Sequence, residues 1–109
     1  ANANLYIENR MPPVQLLRDH NCSITIGTDS YSSNRSMNML DEMRTIQQRT
    51  GRGIPTAEIL QWATINGARA LCMDDRLGSF DKGKQPGIVL IENMDNLLFD
   101  NNSRAHRIA

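Results

Sequence analysis

The sequence predicts an α/β fold, and two observations lead to that prediction. In the first two thirds of the chain, segments with helical spacing of apolar residues surround one run of β-branched residues at positions 23–28. After Met73 the chain breaks into short apolar runs divided by turn residues. This order is typical of the end of an α/β unit followed by a separate β layer, so we divide the chain into residues 1–73 and 74–109.

The composition argues against several classes of function. The chain has 109 residues, and its 12 Lys and Arg balance its 12 Asp and Glu, so no net field attracts nucleic acid. No apolar run approaches the roughly 18 residues that span a bilayer, and no secretory leader opens the chain. These features predict a cytoplasmic protein without a membrane partner. Cys22 and Cys72 lie in apolar contexts and are predicted to be buried free thiols.

The first predicted elements are a helix and a strand. Pro13 suits the first turn of a helix that runs from Val14 to about His20. Residues 23–28 are rich in Ile and Thr and predict a buried strand that ends at Asp29. Residues 29–35 are rich in Ser and Asn and predict a loop.

Two further helices follow from the spacing of apolar residues. Ser36 is the expected cap of a helix that ends near Arg49, and a second helix starts at Pro55 or Thr56. Asn66-Gly67 leaves open whether the second is one helix with a weak joint or two short ones. The expected inward residues are Met39, Leu40, Met43 and Ile46 in the first helix, and Ile59, Leu60, Ala63, Thr64, Ala68 and Leu71 in the second.

The chain after Met73 is predicted to be rich in β structure. Residues 88–91 form a continuous aliphatic run, which predicts a strand covered on both faces. Residues 97–99 form another short apolar run. Lys82-Gly83-Lys84 lacks the glycine spacing of a phosphate loop and is interpreted as an exposed turn.

Asp29 is the first candidate for chemistry. It stands where a predicted strand gives way to a polar loop, which is where α/β folds place catalytic groups. Asp after a strand is also a common turn former, so the position alone supports both readings. Trp62, Met37, Met39 and Met43 could form a binding surface, but their helical spacing favours the core.

Two separated motifs carry a resemblance to a known family. Residues 26–30 with Ser33-Asn34 resemble the segment that closes the last barrel strand of the amidohydrolase superfamily, in its deaminase and chlorohydrolase branch. Residues 62–71 resemble the helix after that barrel, and residues 77–84 resemble the return to its β domain. The resemblance implies a C-terminal fragment of a (β/α)8 barrel, with the last strand and its helices, followed by short strands of a composite β-sandwich.

The resemblance also implies a chemistry for the intact parent. It implies a hydrolase of carbon–nitrogen bonds other than peptide bonds, which deaminates a small cyclic compound with a divalent metal, zinc being the expected ion. Asp29 would be a metal ligand and the catalytic carboxylate there. Ser30, Asn34 and Asn4 occupy positions near the substrate, although Ser30 and Asn34 also suit ordinary loop roles in which they bond their own backbone.

The sequence departs from the family at the metal ligands. The family's His-x-His pair and later histidines are missing, and the histidines present are His20 and His106. The rise of about 3.3 Å per strand residue puts His20 roughly 20 Å from Asp29. We therefore expect the fragment to hold no metal and to be inactive alone. The alternative is a catalytically silent binding or assembly module on the same scaffold. In either case a strand cut from a barrel has an open edge, which predicts a homo-oligomer.

Overall fold

The computed structural model describes all 109 residues as five helices followed by a two-stranded sheet. The helices between residues 14 and 70 and the β structure after Met73 follow the predicted order, whereas the helix at residues 2–8 was not predicted and the predicted strand at residues 23–28 is absent. None of the helices combines the length and the apolar character needed to cross a membrane. The helices are α1 (Asn2–Glu8), α2 (Val14–Asp19), α3 (Met39–Arg49), α4 (Thr56–Ala63) and α5 (Ile65–Ala70), and the strands are β1 (Val89–Glu92) and β2 (Arg104–Arg107).

Helix α1 was not predicted, and it contains Asn4, which the resemblance had placed near the substrate. The helix ends at Asn9, whose φ of 49° is left-handed, and the Asn9 amide donates to the carbonyl of Leu5. None of its residues is fully buried, and its sequence has no stripe of apolar residues from which the helix could be predicted. Helix α1 packs against α3.

Helix α2 begins directly after Pro13, as predicted. Its Val14 is buried in the core. Arg18 on the same helix makes two hydrogen bonds of 2.8 Å to the carboxylate of Glu58 on α4. This paired geometry fastens α2 to α4.

The predicted buried strand at residues 23–28 is extended but joins no sheet, so that prediction was wrong. A strand exists only through pairing with a neighbour, and the chain offers one backbone bond here, from Ile26 N to the carbonyl of Trp62 at 3.3 Å. A side chain adds another contact, since Asn66 donates to the carbonyl of Ile24 at 2.9 Å. Alternate residues of the segment, Ile24, Ile26 and Thr28, are half-buried, and those between them are exposed.

Helix α3 begins two residues later than predicted because Asn38, not Ser36, caps it. The Asn38 side chain accepts from the amide of Leu40 at 2.9 Å, and Ser36 donates to Asp41 instead. Leu40, Met43 and Ile46 are buried as expected, and Met39 is half-buried. Two polar residues, Glu42 and Gln47, are also buried, although the apolar spacing had left both outside the inward stripe.

The second predicted helix is two short ones, and they are separated at Thr64 rather than at Asn66-Gly67. Thr64 has φ of −127° and ψ of −92°, which no helix accommodates. Trp62 lies in the core, in agreement with the prediction, whereas Thr64 and Leu71 are exposed rather than inward. Ile59 is fully buried, Ala68 is buried, and Leu60 and Ala63 pack partly against the core.

The sheet at the end of the chain differs from the prediction in two respects. Strand β1 pairs antiparallel with β2, which has the polar sequence Arg-Ala-His-Arg and no apolar pattern to predict it. Val89 and Leu90 are exposed, so the prediction that both faces are covered was wrong for this chain. Residues 97–99 form no strand, but Phe99 is buried in the core.

The tail and the helices are joined through Gln47. Its side-chain oxygen accepts from the amide of Phe99, and its nitrogen donates to the hydroxyl of Thr56, both at 2.8 Å. A buried amide bonded on both sides contributes to one continuous core. Cys22 and Cys72 are exposed free thiols, so their predicted burial was wrong.

Candidate active site at Asp29

Asp29 ends the extended segment in an unusual backbone conformation. Its φ is 62°, in the left-handed region, which Asp tolerates better than most residues. The residue is exposed. This is the strand-to-loop position that the sequence predicted, even though the preceding segment lacks a sheet partner.

Ser33 holds the carboxylate of Asp29 in place. Its hydroxyl donates to Oδ2 of Asp29 at 2.7 Å and accepts from the amide of Ser30 at 3.2 Å. No protein group donates to Oδ1, so one oxygen of the carboxylate is fixed and the other is free. The sequence reasoning missed Ser33 as a site residue; its spacing of four residues from Asp29 across a polar loop is the signal that could have found it.

Ser30 takes part in a cluster of hydroxyl groups within the loop. Its Oγ lies 2.8 Å from that of Ser32 and 2.9 Å from that of Ser33. Ser30 is exposed, but its hydroxyl bonds to its own loop. The local role that the sequence had left open is therefore the one present in the structure, and the predicted substrate contact of Ser30 stays a prediction.

Asn34 is buried and directed inward, away from the exposed side of the loop. Its Nδ2 donates to the carbonyl of Thr28 at 2.6 Å and to Oε1 of Glu42 at 2.7 Å, and its Oδ1 accepts from the amide of Ser36 at 3.2 Å. Both amide hydrogens are used, so none remains for a substrate. In this structure Asn34 holds the loop, and its predicted substrate contact stays a prediction.

Asn4 lies half-buried on α1, and its side chain has no hydrogen bond in the structure. The structure brings Asn4 and Asp29 into no direct contact. A substrate role for Asn4 remains a prediction from the resemblance.

Glu42 is a buried carboxylate that sequence reasoning did not identify. Its Oε2 accepts from the amino group of Ala1 at 2.7 Å and from the amide of Asn2 at 3.0 Å, and its Oε1 accepts from Asn34. Burial raises the pKa of Glu42, but these hydrogen bonds outweigh burial, and the pKa lies below its ordinary value. Glu42 follows Met39 by three residues and precedes Ile46 by four, so it borders the predicted inward stripe, and this is a weak signal for the burial of an acidic residue.

The residues of this chain do not by themselves fit a divalent metal. No group of three His, Cys, Asp or Glu side chains converges anywhere in the structure, whereas a catalytic zinc ion takes three protein ligands. His20 bonds the carbonyl of Leu16 through Nδ1 at 2.9 Å, and His106 lies 3.4 Å from Glu92 in the sheet. Asp29 is thus a lone carboxylate with one free oxygen, and no catalytic step through a metal follows from this chain alone.

Two surface cavities lie elsewhere. One, of about 480 Å³, is lined by residues of α2 and α4 that include Arg18, Glu58 and Trp62. The other, of about 330 Å³, lies between α1 and α3 and includes Tyr6 and Arg49. Asp29 lines neither of these two cavities.

The chain belongs to the amidohydrolase family, because the profile of that family matches residues 1–106. The resemblance inferred from the two motifs is therefore confirmed.

Several relatives with assigned activities are deaminases. The 5-methylthioadenosine/S-adenosylhomocysteine deaminase of Desulforudis audaxviator is 34% identical over 97% of this chain and 26% of its own length. The S-triazine hydrolase of Gordonia rubripertincta is 30% identical over 83% of this chain and 20% of its own length. The chain therefore spans about a quarter of the length of these relatives.

Solved structures agree with this placement. An adenosine deaminase from Xanthomonas campestris with bound zinc superposes with a TM-score of 0.72 and 32% identity, over 84% of this chain and 22% of the deaminase. The guanine deaminase of E. coli superposes with a TM-score of 0.69 and 26% identity over the same shares. The α/β fold of this chain is therefore one that known amidohydrolase deaminases contain.

Proposed function

We propose that this chain is the C-terminal part of a metal-dependent hydrolase that removes an amino group from a small nitrogen heterocycle. Residues 1–73 would be the end of its barrel, and residues 74–109 would be strands of its β domain. The names of the relatives support this class of substrate, because adenine nucleosides and guanine carry an exocyclic amino group on a heteroaromatic ring.

The observation that carries the proposal is the geometry of Asp29. Its carboxylate is exposed, Ser33 fixes one oxygen at 2.7 Å, and the other oxygen is free. A positioned carboxylate of this kind can remove a proton from an attacking water and later deliver a proton to the departing amine. Asp29 would perform both transfers, since hydrolytic deamination needs a base first and an acid second.

The proposal includes a divalent metal, zinc being the expected ion, as in the Xanthomonas campestris relative. Asp29 would supply one ligand, and residues outside this chain would supply the others. When bound, such a metal lowers the pKa of water and so provides a nucleophile near neutral pH. The chain alone would be inactive for lack of those ligands.

The test is Asp29→Asn in the whole protein that contains this chain. Deamination of 5′-methylthioadenosine, adenosine and guanine would be followed by the change in ultraviolet absorbance. We expect kcat/KM to fall by at least about 100-fold, because the amide cannot accept the proton. The matched control is Asp75→Asn, since Asp75 is an exposed acid whose salt bridge is to Arg76, at 3.8 Å.

Two results would count against the proposal. Full activity in the Asp29→Asn protein would remove Asp29 from the chemistry. A wild-type protein that deaminates none of these compounds, even with zinc supplied, would favour the silent binding module instead.

A further inference from the structure

Glu42 joins two segments that the resemblance had placed near the substrate. Its Oε2 accepts from the amide of Asn2 at 3.0 Å, at the start of the helix that carries Asn4. Its Oε1 accepts from Asn34 at 2.7 Å, in the loop that follows Asp29. The Glu42 side chain is fully buried, so this connection lies beneath the loop and away from solvent.

The path from Glu42 to Asp29 is short. Nδ2 of Asn34 donates one hydrogen to Glu42 and the other to the carbonyl of Thr28, at 2.6 Å. Thr28 directly precedes Asp29, whose φ of 62° is uncommon for a residue with a side chain. The hydrogen bond from Asn34 therefore holds the peptide group that directly precedes the unusual φ angle of Asp29.

The chemistry of a carboxylate allows one orientation of the Asn34 amide. An ionised carboxylate and a carbonyl both accept hydrogen bonds and cannot donate them. Because acceptors lie on two sides, the Asn34 side chain must direct its NH2 group toward both of them. Its side-chain oxygen then accepts from the backbone N–H of Ser36 at 3.2 Å. Removing the acceptor at Glu42 would release the amide to rotate.

We propose that Glu42 is a positioning residue for Asp29, acting through Asn34 and the carbonyl of Thr28. This inference rests on the proposed function, because it assumes that Asp29 performs chemistry. An aliphatic side chain at the same place on α3 would continue the apolar stripe, whereas a buried carboxylate needs hydrogen bonds to be tolerated. Here those bonds lead to α1 and to the Asp29 loop.

The test compares Glu42→Gln, Asn34→Ala and Gln47→Ala in the whole protein. The amide introduced by Glu42→Gln keeps the volume of the side chain, but it brings an NH2 group against groups that are all donors. We expect Glu42→Gln to lower kcat about tenfold or more, with a smaller change in KM. Amide hydrogen exchange across residues 28–36 should become faster, and this readout requires neither substrate nor metal.

Gln47→Ala is the matched control. Gln47 is a buried polar residue on the same helix, but its bonds lead to Phe99 and Thr56, away from Asp29. We expect this variant to lower the melting temperature while kcat and the exchange of residues 28–36 stay near wild type. An equal loss of kcat in Gln47→Ala and Glu42→Gln would show that general destabilisation is responsible, and would overturn the inference.

A double-mutant cycle separates a shared path from two independent effects. If Glu42 acts through Asn34, Glu42→Gln should add little to the loss of kcat in an Asn34→Ala background. Fully additive losses would overturn the inference. If Glu42→Gln does not fold, Asn34→Ala alone decides, because it leaves Glu42 bonded to Asn2 while it removes the bonds of Asn34 to Glu42, Thr28 and Ser36. Unchanged kcat and unchanged exchange would then reject the path.

The outcomes also distinguish this inference from the proposed function. Loss of activity in Asp29→Asn with wild-type kcat in Glu42→Gln would reject the positioning role alone. Full activity in Asp29→Asn would reject the proposed function.

Discussion

Ser33 and Asp29 form a short hydrogen bond, 2.7 Å from the serine hydroxyl to Oδ2 of the aspartate. Ser33 is buried, whereas Asp29 is exposed, so the bond ties the candidate reactive group to the protein interior. The same hydroxyl accepts from the amide of Ser30 at 3.2 Å, which closes the turn around Asp29. Ser33 therefore fixes one oxygen of the candidate reactive carboxylate directly.

Replacing Ser33 with Ala should impair catalysis without unfolding the protein. The Asp29 carboxylate would lose its one side-chain donor, and residues that orient a catalytic or metal-binding carboxylate commonly contribute about 10- to 100-fold to activity. The measurement is kcat/KM for deamination by the whole protein. Ser32→Ala is the control, because the Ser32 hydroxyl contacts only that of Ser30; equal losses in the two variants would contradict a specific role for Ser33.

Gly78→Ala should destabilise the chain more than Gly83→Ala. Both glycines have positive φ, 86° and 93°, so each substitution introduces backbone strain of about 1 to 2 kcal/mol. At Gly78 a methyl group would also lie 2.8 Å from Cβ of Ala68 and from Cα of Ile65, whereas nothing lies within 4 Å at Gly83. Melting temperatures of the two variants provide the comparison, and equal values would argue against the close contact of Gly78 with α5.

Ile59→Ala should lower the free energy of unfolding by about 2 to 5 kcal/mol, because it leaves a cavity in the core. Ile59 on α4 is fully buried. Leu16→Ala is the control, since Leu16 on α2 is 56% exposed and should change stability by no more than about 0.5 kcal/mol. Chemical denaturation measures both, and a small effect at Ile59 would show that α4 packs differently.

Glu42 predicts a pH dependence of stability. Its pKa is lower in the folded chain than its ordinary value of 4.5, so it stabilises the fold above that value. The contribution is lost as the pH falls through the lower, folded pKa. The melting temperature of wild type should therefore fall more steeply below about pH 4.5 than that of Glu42→Gln.

Glu8→Gln serves as the control for that profile. Glu8 is exposed, and its charged neighbour is Arg10 at 4.0 Å. Its profile should follow that of wild type. If the melting temperatures of wild type and Glu42→Gln fell equally steeply with pH, the ionisation of Glu42 would contribute nothing to stability.

The predicted association of copies stays a prediction. It was based on the open edge of the segment at residues 23–28, which joins no sheet. In addition, Val89, Leu90 and Ile108 are exposed on and beside the two-stranded sheet. Light scattering over a series of concentrations would decide it, and a mass that stays that of one chain throughout would reject it.

The sequence by itself determined the family, the position of Asp29 and the starts of α2 and α4. These depend on short-range signals: a motif of a few residues, a proline before a helix, and apolar residues at helical spacing. It also placed Trp62 in the core from spacing alone.

Only the tertiary structure decided which polar side chains are buried and which extended segments pair. Glu42 and Gln47 lie inside because the backbone amides of Asn2 and Phe99, from distant parts of the chain, donate to them. The segment at 23–28 forms no strand for lack of a neighbour, whereas the polar β2 is a strand because β1 lies beside it. Hydrogen bonds and strand pairing between remote residues satisfy backbone and polar groups that local sequence leaves undetermined.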